Sequence, residues 1–255
     1  LSAPLSDKIA TAVTFEQAVT TDARVQAMQF GRYLEAEQQV EIGSTAGVDG
    51  GYRSGLALLL GGIVMREGES VKRGYHVDPA GDYHQLDPGR TAQTMLERVG
   101  RQLGAKPLRT GRRRAVFEPE VVATLLQILS YSLSGKSVSE GKSRLAGRLG
   151  ERVASPLITL VDDATLPGAL GSRPFDSEGT PSARLTLIED GVLRSFMHNS
   201  VTARRTGQPN TGHASRSYAS TLDVRPSNLM LLPGTGIDQA DGVLVIDLMG
   251  VHAGA

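Results

Sequence analysis

Apolar and polar positions along the chain change period several times, and each change marks an element. Residues 5–20 carry the helical spacing, whereas Val25 to Ile42 contains alternating segments such as Gln38-Gln-Val-Glu-Ile42 that suit half-exposed strands. A glycine-rich stretch, Gly43 to Gly51, interrupts the pattern. Gly55 to Glu67 is apolar and tolerant of β-structure, and a further strand-like run surrounds Tyr75, His76 and Val77. Together these predict a meander of antiparallel strands. From Pro88 to Leu103 the period returns to that of a helix, with Met95, Leu96, Val99 and Leu103 on one face and Gly104 as its stop.

The second half is more broken. The basic turn Arg109-Thr-Gly-Arg-Arg-Arg114 leads into a short strand at Ala115, and then into a helix from Glu118 to Ser134 with Pro119 and Glu120 in its first turn. Proline and an acid belong at that end of a helix. A polar, glycine-rich stretch (143–150) precedes a strand from Pro156 to Val161 that ends in Asp162-Asp163. Leu185-Thr-Leu-Ile188, Asp190-Gly191 and Val192 to Met197 form the strongest hairpin signal, because Asp-Gly supplies the positive φ angles of a tight turn. A short helix at 201–205 and a last strand within Gly242 to Leu248 complete the pattern. Hairpin signals dominate over strand–helix alternation, so the predicted class is α+β with mostly antiparallel sheets and packed helices. The expected division falls near residue 110, giving regions 1–110 and 111–255.

Composition narrows the functional classes. The 255 residues include no cysteine, which removes disulfides, thiolate zinc sites and thiol nucleophiles. Lys plus Arg and Asp plus Glu each number 27, so no net field draws in nucleic acid or a membrane surface. The apolar run Leu56 to Met65 is too short and too glycine-broken to span a bilayer. The opening residues have no basic and apolar leader pattern, and both ends read as mid-chain sequence.

Candidate chemistry is sparse. No His-Glu-x-x-His pattern occurs, and His76, His84, His198, His213 and His252 lie in scattered segments. No Gly-x-Ser-x-Gly elbow and no phosphate-binding glycine loop are present, and the arginine turn reads as a solvated face. Two acidic pairs remain: Asp162 with Asp163, and Asp176 with Glu178. Such pairs hold a hard cation, flank a substrate, or simply end strands and build turns through their own backbone.

Read in order, VASPLITLVDDATLPGALGSRPFDSEGTPSARLTLIEDGVLRSFMHNSVTARRTG, NTGHASRSY and RPSNLMLLPGTG closely resemble the TldD/PmbA family. That family carries a strand ending in paired acids, an F-D-x-E-G-x-P loop, an I-E-x-G-x-L hairpin, an A-R-x-x-G segment and an S-N-x-x-L-x-P-G run. The resemblance covers roughly residues 105–250, with a weaker likeness upstream. It implies a cytoplasmic zinc metalloprotease system acting on unfolded or modified peptides, in which a TldD-type chain works with a PmbA-like (TldE) chain. It also implies longer chains, extending before Leu1 and after Ala255.

In the TldD branch the helix corresponding to 118–134 carries H-E-x-x-x-H. Here that stretch reads Leu125-Leu-Gln-Ile-Leu-Ser-Tyr-Ser-Leu-Ser-Gly135, with neither imidazole nor glutamate. The Ser134-Gly135 ending and Gly141-Lys-Ser143 resemble the PmbA branch. The resemblance therefore implies a non-catalytic subunit with no catalytic or metal-ligating residue of its own, zinc belonging to a TldD-type partner. Its expected partners are a TldD-like subunit or a second copy, and a peptide, with neither nucleic acid nor membrane. Asp176, Glu178, Arg204 and His213 are the expected substrate-chamber contacts. The alternatives are an active metallopeptidase and a regulatory module of the gyrase-modulator type.

Overall fold

The computed structural model describes residues 3–45, 47–234, 242–248 and 250–251, so His252 lies outside the described residues. Two compact units are present, one of Leu1–Val40 with Arg53–Gly111, the other of Glu41–Tyr52 with Arg112–Ala255. The class is α+β.

In the first unit, helix α1 (Leu5–Thr20) precedes three strands, β1 (Val25–Gly43), β2 (Asp49–Glu67) and β3 (Ser70–Ala80), ordered β1-β2-β3. Strands β2 and β3 pair antiparallel from Ala57↔Ala80 to Glu67↔Ser70. Pro79 is tolerated because β3 is an edge strand. Helix α2 (Pro88–Gly100) starts with Asp87 accepting the Arg90 N–H and Pro88 in the first turn. It buries Thr91, Ala92, Met95 and Val99; of the face expected from the helical period, Met95 and Val99 are buried, and Leu96 and Leu103 pack on the core partly buried. The helix ends at Gly100, short of the expected Leu103, because a tighter turn in which the Leu103 N–H bonds the Gly100 carbonyl takes over.

Phe15 and Val19 of α1, Leu59, Ile63 and Met65 of β2, and Met95 and Val99 of α2 form this unit's core. Each such side chain contributes about 1.5–3 kcal/mol on full burial. Close approach of the helices requires glycine in the strands. A Cβ on Gly61 would lie 2.7 Å from the Phe15 ring, and one on Gly74 2.7 Å from Val99.

The second unit begins with β4 (Ala115–Phe117), α3 (Pro119–Ser132) and the short α4 (Gly135–Ser139). Its four-stranded sheet is ordered β10-β5-β6-β7, from β5 (Leu160–Asp163), β6 (Arg184–Glu189), β7 (Val192–Leu193) and β10 (Leu229–Leu231). Helix α5 (Ser200–Thr206) and strands β8 (Ala214–Ser215) and β9 (Asp223–Val224) lie between β7 and β10 in sequence. Strand β11 (Val243–Val245) pairs parallel with β4. Leu133, Leu160, Leu187, Leu193 and Met197 centre the core.

The Asp190-Gly191 turn has the expected geometry, with φ of 47° and 79°. Its second strand is shorter than predicted and stops at Leu193. Beyond it, Met197 donates to the Leu133 carbonyl and accepts from the Gly135 N–H, which draws the chain away to the α3–α4 junction. The strand expected at Pro156 starts at Leu160, because Ser155 to Ile158 closes a turn.

Candidate functional site

Strand β5 places both acids of its Asp162-Asp163 ending in the interior. The Asp162 carboxylate accepts from His213 Nε2 at 3.0 Å, from the Ser227 N–H at 2.9 Å and from the Ser227 hydroxyl. Asp163 accepts the Thr165 N–H at 2.9 Å and its hydroxyl at 2.6 Å. Those bonds, the hydroxyl's first, hold the Asp163 carboxyl below the usual carboxylate range, with Arg184 adding a weaker pull. Asn228 braces the same end of the strand, donating to the Asp163 carbonyl at 2.7 Å and accepting the Gly171 N–H at 2.8 Å. The Ser227-Asn228 pair is thus a clamp on β5.

The loop from Phe175 to Pro181 is closed from within. Asp176 accepts the N–H groups of Glu178 and Thr180 on Oδ1 and that of Ala214 on Oδ2, each at 2.9 Å. An aspartate that bonds the backbone ahead of it builds a turn. Glu178 accepts the Ser200 N–H at 2.8 Å and the Ser200 hydroxyl, which anchors the loop to the start of α5. Gly179 has φ +81°, and a Cβ there would come within 2.4 Å of Val48. The Phe175 ring meets Tyr52 edge-on at 5.3 Å. The β1–β2 hairpin tip, residues 41–52, therefore packs on this loop inside the second unit.

His213 connects these parts. Its Nδ1 lies 2.9 Å from the Thr211 hydroxyl while Nε2 donates to Asp162, and its neighbour Ala214 donates to Asp176. His198 is also buried, with Nδ1 3.2 Å from the Thr202 hydroxyl and no partner for Nε2 among the described residues. Burial, with His213 adding, depresses its basicity below the ordinary histidine value. Gly135 makes room for the ring, since a Cβ there would lie 2.1 Å from His198 Nδ1. Asp176, Glu178 and His213 thus share one bonded region, while Arg204 projects from α5 as an exposed side chain.

A second location is open to solvent. Gln127, Ser130 and Tyr131 follow the i, i+3, i+4 spacing of one face of α3 and, with Ser134 at the start of α4, line a polar pocket of about 370 Å³. Lys136, Glu140, Lys142, Asp223 and Arg225 also line it. Inside it Lys136 meets Asp223 at 3.2 Å, Lys142 meets Glu140 at 2.9 Å and Arg225 meets Asp223 at 3.6 Å. Beside it runs an apolar groove of about 620 Å³ between Val122 and Leu126 of α3 and the β10 stretch Leu229 to Pro233. Gln127 and Pro226 line both.

Zinc requires imidazole, thiolate or carboxylate donors in a tetrahedral set. The α3 face offers an amide, hydroxyls and a phenol, and the two pocket carboxylates are already bonded to lysines. These residues do not fit the ion. Among the described residues no group of three or more His, Cys, Asp or Glu is placed to hold a metal, and no helix is long and apolar enough to cross a membrane. The charged pocket has no local signature in the sequence, because Lys136 and Lys142 are separated from Asp223 and Arg225 along the chain and meet only through packing.

Residues 110–255 match the PmbA/TldA metallopeptidase C-terminal domain and residues 1–103 the central domain of the same proteins. The metalloprotease PmbA of Escherichia coli O157:H7 is 27% identical over 200 residues, 78% of this chain and 44% of that protein. A metalloprotease of Methanocaldococcus jannaschii is 33% identical over 138 residues, 54% of this chain and 31% of its own length. A Thermotoga maritima structure described as a modulator of a DNA gyrase superposes with a TM-score of 0.89 at 26% identity, covering 99% of this chain and 59% of that one. TldE from Thermococcus kodakarensis superposes with a TM-score of 0.82 at 23% identity over 98% of this chain and 57% of that one, a likeness of fold. The matched stretch spans less than half the length of the two curated relatives.

Proposed function

Because the chain belongs to the TldD/PmbA family, we propose that it is the PmbA-like, non-hydrolytic subunit of a TldD-type zinc metalloprotease. The observation that carries this reading is the α3 face, where Gln127, Ser130 and Tyr131 stand without a zinc ligand or a carboxylate base. Zinc, held by the partner chain, would supply an activated water; this chain's part is to bind and orient the peptide.

Two features support that part. Among the described strands none pairs with the outer edge of β10, and an extended peptide adds to such an edge through main-chain hydrogen bonds. The apolar groove beside that edge accommodates alternate side chains. The 175–181 loop, closed by its own carboxylates, acts as a shaped wall of the chamber, with Arg204 at its margin. Pairing with a TldD-like chain is favoured over pairing with a second copy, since the α3 face of a second copy again carries no zinc ligand. The proposed setting is the cytoplasm. The balanced charge gives a DNA-directed role no support.

The test is peptide hydrolysis by the full-length protein, alone and mixed with a TldD-type chain, with zinc measured on each. Activity only in the mixture, with zinc tracking the partner, is expected. Zinc-dependent hydrolysis by this chain alone would overturn the proposal.

A further inference from the structure

We infer that the polar pocket at the end of α3 is a receptor for the free α-carboxylate of a peptide whose last side chains are apolar. The inference rests on the peptide-facing reading of this surface and adds to it a direction, with the carboxyl terminus bound at Lys136 and Arg225 and the preceding residues in the groove.

Charge is the first argument. Three cations and two carboxylates line the pocket, leaving a surplus of positive charge where an anion would sit. Each carboxylate is more buried than the cation it meets: Asp223 is 30% exposed against 45% for Lys136 and 63% for Arg225, and Glu140 is 32% against 72% for Lys142. The acids therefore act as internal anchors that hold the cations in place. An ammonium carries three donors and a guanidinium five, so single pairings leave donors to spend. Lys142, through its hydrogen bond, holds the Glu140 carboxyl below the usual carboxylate range, and Lys136 and Arg205 add weaker pulls in the same direction.

Shape is the second argument. A small inorganic anion would use the charged pocket alone, but an apolar groove borders the pocket at Gln127 and Pro226, which line both. An occupant that satisfies both has an apolar body and an anionic end. The β10 edge running along the groove suits an extended backbone. The end of a peptide chain combines these three properties, whereas an internal segment offers no charge at the pocket unless its sequence supplies one.

The experiment is fluorescence anisotropy of a labelled hexapeptide ending in Val-Ala-Leu, as the free acid and as the carboxyl-terminal amide, with the full-length protein and no partner chain. Charge-assisted hydrogen bonds to the carboxylate give an expected preference for the acid of about tenfold. Lys136→Gln combined with Arg225→Gln is expected to lower binding of the acid to that of the amide with unchanged circular dichroism. Arg194→Gln, an exposed cation elsewhere, is expected to leave the preference intact. Equal binding of acid and amide, no binding of either, or a preference surviving in the double variant would each overturn the inference. So would displacement by inorganic phosphate as effective as by unlabelled acid, which would mean a general anion site. Concentration-dependent self-association lost in the double variant would instead seat a second copy on this face and overturn it too. Hydrolysis is not read, so failure of the subunit proposal would show in the activity assay and not here.

Discussion

Asp176 and Glu178 differ in what they do, although only one residue separates them. Asp176 is nearly fully buried and gathers three backbone N–H groups, so its removal leaves three donors without an acceptor. At about 1–3 kcal/mol for an unsatisfied buried group, with partial relaxation of the loop, Asp176→Ala is expected to cost about 3 kcal/mol in urea unfolding. Glu178 bonds one residue at a helix start, so Glu178→Gln, which keeps an acceptor, is expected to cost about 1 kcal/mol or less by the same measurement.

His198 provides a pH signature. Its folded-state basicity lies below the unfolded value of 6.5, so above that pH neither state is charged and the residue is silent. Below it the unfolded chain takes up a proton that the folded core resists, and the unfolded state binds more protons. Stability therefore falls as pH drops through the unfolded value, until the folded-state value is reached. His213 lies close enough to oppose protonation further, and Asp162 is bonded to His213. Chemical unfolding between pH 7.5 and 5 is expected to show a loss that His198→Gln reduces; an identical slope in the variant would mean that burial of this ring is not its cause.

At the scale of elements, most starts and turns were legible because their determinants are local. Leu5–Thr20 forms the helix expected there, and α2 begins where Asp87 and Pro88 indicate. The Asp190-Gly191 turn depends on two left-handed residues, and a Cβ on Gly191 would also come within 2.4 Å of the Ala154 carbonyl oxygen. Gly191→Ala is expected to destabilise the protein by more than about 1 kcal/mol, measured by thermal unfolding. Strand lengths were less legible. Strand β7 stops after Leu193 because Met197 finds its partners at Leu133 and Gly135, about sixty positions earlier in the chain. No alternation within Val192 to Met197 encodes that competition.

For the whole molecule, function turns on what one helix face presents. A zinc peptidase needs ligands and a base on a rigid element. The α3 face instead carries amide and hydroxyl groups beside an ion-paired pocket. Mixing with a TldD-type chain is therefore the decisive whole-molecule experiment, because the proposed activity belongs to an assembly. The hairpin tip 41–52, which belongs to the second unit, contains the Gly43 to Gly51 stretch that in the sequence only interrupts the strand pattern; its packing of Tyr52 and Gly50 on Phe175 makes it part of the loop's support.

By itself the sequence determined the α+β class, the positions of helices α1, α2, α3 and α5, the tight turn and the absence of zinc ligands in 125–135, because each depends on residue type or on neighbours within a few positions. Only the tertiary structure decided that Asp162 meets His213 across 51 positions and that Lys136 meets Asp223 across 87. Such pairings follow from how the sheet and helices pack, and packing is set by many weak apolar contacts at once. The charged pocket and its apolar groove exist where those distant segments converge, so they have no local signature to read.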